Sequence, residues 1–298
     1  MIGLLLVNKP ENITSFGAVA RIKRLANERR VGHTGTLDPM ATGVLPVFLG
    51  RATALSSYLL EADKTYTARI RLGVTTDTDD ITGNVLCDRR EEIKNAFTEE
   101  DINKVLDSFL GKQLQTPPMF SAIKKDGVRM YALARQGKTV EIEPRQVEIL
   151  EIALRSPVED NEFDISVRVS KGTYIRSLCR DIGERLGCGA TLAALSRTNA
   201  SGIDISSCVK LEDLTEENIG KFIISEEKAV EYLPRVNITE KQAIRFSNGG
   251  QLDLDRLKLT EVEDGDLYRV KYNDLFLGLG VIEKEKNQLA IKCIINNI

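Results

Sequence analysis

The chain has 298 residues, a formal net charge of −3, 42% hydrophobic residues and 29% charged residues. These proportions are close to those of globular proteins, so they exclude broad disorder, and the length predicts about two domains. The opening run MIGLLLVNKPENITS has no basic segment before its apolar part and no small-residue cleavage site after it, so we expect a strand and not a signal peptide. No apolar run reaches membrane-spanning length, and we expect a cytoplasmic protein without a membrane partner.

The charge is distributed unevenly along the chain. Residues 1–60 contain seven Lys and Arg against three acids, a net of +4, whereas residues 211–231 contain seven acids against two Lys, a net of −5. Because salt screens charges beyond about 8 Å, a polyanion responds to the local basic face more than to a distant acidic segment. A nucleic-acid partner therefore stays open. The five cysteines are scattered, without C-x-x-C spacing, which favours free thiols and no cysteine metal site.

The first half of the chain contains three clear periodic segments. A helix is predicted over 15–27, capped by Thr14 or Ser15, with an apolar face of Phe16, Val19, Ile22 and Ala26. Strict alternation predicts a half-buried strand over 66–72. A second helix is predicted over 98–110, where Thr98 is the cap and Gly111 the stop.

The second half adds a strand over 163–169, a helix over 173–186 and an acidic segment, 211–231, that is predicted to be a helical connector. Helices and strands alternate without βαβ regularity, so the predicted fold class is α+β. From Pro234 onward the chain is predicted to form a small β-rich module with strands at 267–272, 275–282 and 288–295.

The densest group of special residues is Arg30-Val31-Gly32-His33-Thr34-Gly35-Thr36-Leu37-Asp38-Pro39-Met40-Ala41-Thr42-Gly43. Glycine supplies unusual φ values and proline fixes φ, so this segment is predicted to be a rigid, irregular loop. Asp38 precedes proline and is therefore biased away from helix. A turn-forming aspartate is the ordinary interpretation, but a charged Asp between apolar neighbours after a basic helix favours a functional site.

The run Asp77-Thr78-Asp79-Asp80 invites a Ca²⁺ or Mg²⁺ interpretation. It lacks the third ligand position, the following glycine and the late glutamate of an EF-hand loop. His33 is the sole histidine and has no second His, Cys or acid cluster nearby in sequence. We predict no metal and no cofactor.

The segment GHTGTLDPMATGVLPV resembles the catalytic loop of the TruB-type bacterial tRNA pseudouridine-55 synthases. Further segments resemble motifs of that family in the family's order: Asn8-Lys9-Pro10 with Thr14-Ser15, Asp63-Lys64-Thr65-Tyr66, Gly73 with Thr76 to Asp80, Lys171-Gly172-Thr173-Tyr174-Ile175-Arg176, and Leu195-Ser196-Arg197. The resemblance covers residues 2–200. The stretch TEKQAIRFSNGGQ and the strands after it are similar to a short PUA domain.

The resemblance implies a pseudouridine synthase fold, with a mixed, largely antiparallel sheet flanked by helices over residues 1–232. It implies an RNA-clasping insertion at about 113–141, in which Lys124, Lys125, Arg129, Arg135 and Lys138 attract phosphates, and a PUA-like RNA-binding domain over 233–298. The implied reaction turns uridine 55 in the TΨC loop of tRNA into pseudouridine after base flipping. The implied partner is the tRNA alone, with a monomeric enzyme and no obligate protein partner.

The resemblance also implies the roles of single residues. Asp38 is the implied nucleophile, paired with Arg176, and Tyr66 is implied to stack on the target uracil. Leu195 is implied to pack on the other face of the base, and His33 to stack in the place that the flipped base leaves. The remaining implied substrate contacts are Tyr174, Lys9 and Lys64, and Asp80 is an implied partner of Arg176.

Three other functions fit parts of the sequence less well. A non-catalytic RNA-folding protein would not require the set of Asp38, Tyr66, Arg176 and Leu195. A guide-RNA-dependent synthase of the archaeal and eukaryotic type tends to have terminal extensions and a fuller PUA domain. A metal-dependent phosphotransferase built on Asp77–Asp80 would need a phosphate loop and a ligand set. The stand-alone tRNA enzyme is the leading prediction.

Overall fold

The structure is a computed structural model that describes residues 1–60, 63–94, 96–121, 124–125, 128–130, 142–259 and 261–298; for residues 60, 124, 125, 128 and 129 it describes the backbone alone. The helices are α1 (Ser15–Leu25), α2 (Ser56–Leu60), α3 (Glu99–Asp107), α4 (Ile175–Arg185) and α5 (Glu240–Ser247). The strands of the larger sheet and its neighbours are β1 (Gly3–Lys9), β2 (Val31–His33), β3 (Thr42–Leu49), β4 (Lys64–Leu72), β5 (Val74–Thr76), β6 (Val85–Asp88), β7 (Gly111–Gln115), β8 (Lys124–Lys125), β9 (Val128–Arg129), β10 (Arg145–Leu154), β11 (Glu162–Val169), β12 (Ala190–Ala200), β13 (Ile203–Asp204), β14 (Val209–Lys210) and β15 (Ile223–Ile224). The last five strands are β16 (Arg235–Asn237), β17 (Leu252–Asp253), β18 (Leu267–Tyr272), β19 (Leu275–Glu283) and β20 (Gln288–Ile294).

A large mixed sheet organises the first part of the chain. Its strand order within the described residues is β14-β1-β3-β12-β4-β11-β10-β7, with β2, β13 and β15 at its margins. Most neighbours are antiparallel, but β12 and β14 run parallel to β3 and β1. The predicted α+β class is therefore confirmed. The centre of the sheet lies in the β3–β12–β4 region, which is also where the candidate site is found.

Two of the predicted helices, α1 and α3, begin at side-chain caps that the sequence supplies. Thr14 caps α1 by accepting a hydrogen bond from the backbone of Gly17, and Thr98 forms a capping box with Asp101 at α3. Such a cap satisfies backbone donors that the first helical turn leaves unpaired. The three helices predicted over 15–27, 98–110 and 173–186 are each shorter than predicted, because α1 ends at Leu25, α3 at Asp107 and α4 at Arg185.

A second sheet follows Pro234, and its described strands number five, in the order β16-β18-β19-β20-β17. The three predicted C-terminal strands are confirmed to within one residue at their ends. One apolar cluster joins the two sheets, since Leu4 and Phe48 pack with Phe276 and Leu279 around Val230. The predicted domain boundary at residues 232 and 233 stays a prediction.

Two predictions about local structure are wrong. Phe16 does not share the buried face of α1, because 78% of its surface is exposed, and the buried positions are Ser15, Ala18, Val19 and Ile22. The acidic segment 211–231 contains short 3-10 helices (Leu211–Asp213, Ile219–Phe222 and Glu226–Val230) and strand β15, with no α-helix among its described residues. Its apolar residues anchor the chain to two different cores and do not follow a helical period.

Several predictions fall on the insertion at about 113–141. Arg135 and Lys138 lie outside the described residues, and so do the side chains of Lys124, Lys125 and Arg129. The role of this segment as an RNA clasp stays a prediction. Within the described part of the chain, none of the helices has the length and apolar character needed to cross a membrane.

Candidate active site

The loop of residues 34–41 connects β2 to β3 and contains Asp38. The amide of Ala41 donates to the carbonyl of Asp38 at 3.0 Å, and the amide of Asn12 donates to the carbonyl of Pro39 at 2.9 Å. Gly35 adopts φ +70°, a value that L side chains rarely take. The loop is thus an ordered turn held against the segment between β1 and α1.

The Asp38 carboxylate lies beside a buried arginine. Its Oδ2 atom is 2.9 Å from Nε of Arg176, and the side-chain exposures are 35% for Asp38 and 6% for Arg176. The ion pair predicted for these residues is therefore present. One side of the carboxylate remains open to solvent while the other side contacts a cation that water does not reach.

Arg176 is held by groups other than Asp38. Its Nη1 atom donates to the carbonyl of Thr78 at 3.0 Å, and its Nη2 atom donates to the carbonyl of Phe120 at 2.9 Å. Nη1 is also 3.6 Å from Oδ2 of Asp80, the second acid expected near this arginine. These contacts fix the guanidinium plane, which allows it to orient a carboxylate.

The sheet provides an apolar floor beside the loop. Tyr66 of β4 and Leu195 of β12 are 7% and 8% exposed, and both belong to the apolar cluster that contains Leu37 and Ala41 of the loop. A bulge between Leu192 and Ala194 in β12 brings Leu195 opposite Ala68, on the same face as Tyr66. The structure thus places these two side chains on one surface close to Asp38.

Burial raises the pKa of the Asp38 carboxyl above its ordinary value, and the Asp80 charge adds to this, whereas Arg176 opposes it. Two opposing effects therefore act on the Asp38 carboxyl: burial and Asp80 favour its protonated form, and Arg176 favours its charged form. An ionised carboxylate in this position is a competent nucleophile or general base.

Lys9 lies under the loop and not at its open side. The side chain is fully buried, and its Nζ atom donates to the carbonyl groups of Pro10 and Ile13 at 2.8 Å and of Pro39 at 3.4 Å. Burial lowers the pKa of Lys9 to about 8, although the nearby Asp38 charge opposes this. These contacts connect Lys9 to the loop backbone.

His33 and Lys64 flank the loop at its beginning. The Nδ1 atom of His33 is buried without a hydrogen-bond partner among the described residues, and burial, then the charge of Arg197, lowers its pKa. Both effects favour the neutral form of the His33 ring. Lys64 is the first residue of β4, and its Cε atom lies 3.6 Å from the position that a Cβ atom on Gly35 would occupy.

Tyr174 immediately precedes α4, two residues before Arg176. Its amide donates to Oε1 of Gln115 at 2.8 Å, and its carbonyl accepts from Nε2 of the same glutamine at 3.0 Å. The guanidinium carbon of Arg145 is 4.6 Å from the centre of the Tyr174 ring. Tyr174 thereby joins the start of α4 to strands β7 and β10.

Each acid in the Asp77–Asp80 run is occupied by a protein donor. Asp77 binds Asn84, Asp79 pairs with Arg180 at 3.0 Å, and Oδ1 of Asp80 accepts from the amide of Thr82 at 2.9 Å. Across the described residues, no group of three or more His, Cys, Asp and Glu side chains is placed to hold a metal ion. The run is therefore a turn that supports Arg176.

Two residues near the loop, Ser15 and Arg197, lie in motifs of the resemblance but were given no role at the site from the sequence. Arg197 is 1% exposed and bonds the carbonyl groups of Gly35 and Val44, and Ser15 bonds the backbone of Leu37. The family-like motif Leu195-Ser196-Arg197 draws attention to Arg197, but nothing in a single sequence shows that this arginine is buried.

The family models describe the greater part of this chain. Residues 23–175 match the model "TruB family pseudouridylate synthase (N terminal domain)", and residues 176–235 match "tRNA pseudouridylate synthase B C-terminal domain". The chain belongs to the TruB family of pseudouridylate synthases. The predicted resemblance is confirmed.

Similar proteins extend the match over nearly the whole length. A protein named tRNA pseudouridine synthase B from Clostridium tetani is 45% identical over 96% of this chain and 97% of its own. A protein of the same name from Microcystis aeruginosa is 40% identical over 99% of both chains. These two relatives therefore match the TruB chain over almost the whole length of both sequences.

The fold is shared with solved structures. The crystal structure of a Cbf5-Nop10-Gar1 complex contains a chain that matches with a TM-score of 0.73 and 28% identity, over 99% of this chain and 85% of that one. The archaeal box H/ACA sRNP Nop10-Cbf5 complex gives a TM-score of 0.71 and 27% identity. The predicted pseudouridine synthase fold is confirmed.

Proposed function

We propose that this chain isomerises uridine 55 in the TΨC loop of tRNA to pseudouridine, with Asp38 as the nucleophile. The observation that carries the proposal is the Asp38 carboxylate at 2.9 Å from the buried Arg176, beside the apolar floor of Tyr66 and Leu195. The tRNA substrate is supported by the names of the relatives from Clostridium tetani and Microcystis aeruginosa.

The chemistry of the reaction suits this arrangement. The C1′–N1 glycosidic bond breaks, the uracil rotates, and C5 forms a new bond to C1′; C5 then loses a proton and N1 gains one. No atom or electron is gained or lost overall. The detached base must stay bound throughout, so a site that excludes water and fits the ring is needed.

Each site residue receives a role in the proposal. The flipped uracil enters edge-on between the two neighbouring side chains of the floor, so that Tyr66 stacks on one face of the base and Leu195 packs against the other. Arg176 keeps Asp38 ionised and oriented. His33 occupies the place in the RNA loop that the flipped base leaves, which offsets part of the lost stacking. Tyr174 and Lys64 contact the RNA.

Lys9 has a different role from the one that the resemblance implied. Since its ammonium group is enclosed by three backbone carbonyl groups, it holds the loop and does not touch the substrate.

We also propose that residues 233–298 form an RNA-binding PUA-like domain and that the chain acts as a monomer without a protein partner.

The test is to incubate the purified chain with an unmodified tRNA transcript and no added cofactor, and then to map pseudouridine along the RNA. We expect one product position, in the TΨC loop, and the same product on a pre-folded stem-loop of that arm after treatment with EDTA. A transcript with cytidine at the target position is the control. Modification at other positions alone, or a complete loss that added metal restores, would contradict the proposal.

A further inference from the structure

Arg197 is a buried cation next to the Asp38 loop. It lies in β12 directly opposite Tyr66 of β4, and opposite residues of antiparallel strands project from the same face of a sheet. Its side chain is 1% exposed. Arg197 therefore lies inside the floor of the site, where it does not reach a substrate.

The Arg197 side chain donates hydrogen bonds to two backbone carbonyl groups. Nε donates to Val44 at 2.7 Å and Nη2 donates to Gly35 at 2.9 Å. Among the described residues, no carboxylate forms an ion pair with it. Burying an arginine without a counter-charge is costly. The two hydrogen bonds to the backbone offset part of this cost, and a smaller apolar side chain could not make them.

The strand geometry shows where the Arg197 side chain takes over from the backbone ladder. Among the described residues, strands β3 and β12 pair at two positions, Ser196 with Thr42 and Arg197 with Gly43. At the second position a Cβ atom on Gly43 would meet the Arg197 carbonyl oxygen at 2.2 Å, so glycine is required for the approach. Within the described parts of the two strands no ladder pair follows beyond this point, and the Arg197 side chain donates to the carbonyl of Val44.

Ser15 makes a second attachment of the same loop. Its Oγ atom donates to the Leu37 carbonyl at 3.0 Å and accepts from the Leu37 amide at 2.8 Å, and its side chain is buried. Arg197 thus holds the loop at residue 35, Ser15 at residue 37 and Lys9 at residue 39. Asp38 lies between the second and third of these attachments.

We propose that Arg197 and Ser15 are positioning residues that fix the backbone around Asp38, so that its carboxylate is presented to the substrate in one geometry. The inference rests on the proposed function, in which Asp38 is the reacting group. Arg176 orients the carboxylate from its own side, whereas Arg197 and Ser15 act through the main chain of the loop. Misplacing a reacting group by about 1 Å costs roughly 100-fold in rate.

The test compares Arg197→Lys and Ser15→Ala with the wild-type chain on a TΨC-arm stem-loop. Single-turnover rates at saturating enzyme give the chemical step, and filter retention gives the affinity. We expect Arg197→Lys to be slower by about 100-fold, since lysine has no fork to bond both carbonyl groups. We expect Ser15→Ala to be slower by about 10-fold, with affinity for the RNA within about threefold of wild type in both variants.

A stability-matched control separates positioning from general damage. Leu277→Ala removes a fully buried side chain from the core of the C-terminal sheet and leaves the loop intact. Below its melting temperature it should retain a near-normal single-turnover rate although it lowers stability. A near-normal rate in both loop variants, a parallel loss of affinity, or an equal loss of rate in Leu277→Ala would overturn the inference.

Asp38→Asn separates this inference from the proposed function. If Asp38→Asn is inactive while Arg197→Lys and Ser15→Ala retain their rates, the positioning role is wrong and the nucleophile stands. If Asp38→Asn is active, the proposed function itself is wrong. Should Arg197→Lys fail to fold, Ser15→Ala alone decides, because it deletes one hydroxyl group and creates no buried charge.

Discussion

The Nε atom of Arg176 lies 2.9 Å from Oδ2 of Asp38, and the same guanidinium group is bonded to the carbonyl groups of Thr78 and Phe120. The two neutral carbonyl acceptors keep their bonds whatever the charge of Asp38. The arginine should therefore stay in place when the carboxylate is neutralised, which makes substitutions at Asp38 informative about chemistry and not about folding.

Asp38→Asn should abolish pseudouridine formation while tRNA binding is retained. The amide preserves volume and hydrogen-bonding capacity but removes the anion, so we expect a rate loss of at least about 10⁴-fold. Affinity measured by filter retention should stay within about threefold. Asp213→Asn, an exposed aspartate of the acidic segment, is the matched control and should be active. Loss of binding in step with activity would instead make Asp38 a structural residue of the loop.

Arg176→Lys tests the orientation of the carboxylate. Lysine keeps the charge but lacks the planar fork that contacts Asp38, Thr78 and Phe120 together. We expect the single-turnover rate to fall by about 100-fold and the affinity to change little. Arg185→Lys, in the last turn of the same helix, is the control and should be near normal. Equal effects of the two substitutions would argue against a special role for Arg176.

The raised pKa of Asp38 predicts opposite effects of acid on activity and on this residue's contribution to stability. In the proposed function the reaction uses the Asp38 carboxylate, so the rate should fall as pH drops through a pKa above the usual value of about 4. A carboxyl whose pKa is raised on folding favours the folded state when protonated, and this contribution is lost as pH rises through the folded pKa.

Two measurements test these opposite pH dependences of rate and stability. The acid limb of the single-turnover rate, recorded with the enzyme still saturating at each pH, should lie above the range of an exposed aspartate. The stability of Asp38→Asn relative to wild type should increase as pH rises through the same window, because only the wild type then carries the buried charge. A difference in stability that is independent of pH would contradict the raised pKa.

The sequence predicted the periodic elements but not the surface that surrounds Asp38. Alternation along β12 would place Leu192 and Leu195 on opposite faces, yet a bulge between Leu192 and Ala194 brings both onto one face. A bulge depends on pairing with another strand, so it has no signature in a local window. The family resemblance made Leu195 a candidate site residue, which periodicity could not, and its role stays a prediction.

The sequence did not predict which charged side chains are buried either. Lys9 and Arg197 are among the largest fully buried side chains, although both residue types are usually exposed. Conversely, Phe16 was predicted to be buried because it lies one helical turn before Val19, yet it is exposed. A helix shows which residues share a side, but the neighbouring elements decide where the buried side ends.

The basic face of α1 should contribute to the salt dependence of RNA binding. Lys23 and Arg24 are exposed in its last turn, without an acidic partner among the described side chains. Each phosphate contact that is lost should lower the slope of log affinity against log salt by about 0.7 to 0.9. The double variant Lys23→Gln/Arg24→Gln should therefore show a slope smaller by about 1.5.

A matched control for the salt experiment is Lys104→Gln, which removes an exposed lysine that is already paired with Glu100 in α3. Its slope should equal that of the wild type. If both variants behave alike, the RNA does not lie along α1, and the basic face is an ordinary solvated helix surface.

Glu227 should be the ionic residue that matters most for docking the C-terminal sheet. Its two carboxylate oxygens accept from Arg269 and from Lys271, each at 2.9 Å, and the three side chains are 15–16% exposed. Glu227 belongs to the short helix Glu226–Val230, whose Val230 packs in the apolar cluster shared by both sheets. Glu227→Gln leaves two cations facing each other in a poorly solvated place, and breaking a buried pair in this way costs about 3 kcal/mol.

We therefore expect Glu227→Gln to lower the first melting transition by about 6 to 12 °C. The single-turnover rate at 25 °C should change little, because the Asp38 loop is attached to β3 and β12 and not to the C-terminal sheet. Glu231→Gln is the control, since its exposed pair with Lys228 at 3.5 Å should contribute less than about 0.5 kcal/mol. Equal melting of the two variants would show that the apolar cluster holds the sheets together without help from Glu227. A large loss of rate in Glu227→Gln would show instead that docking of the second sheet shapes the catalytic loop.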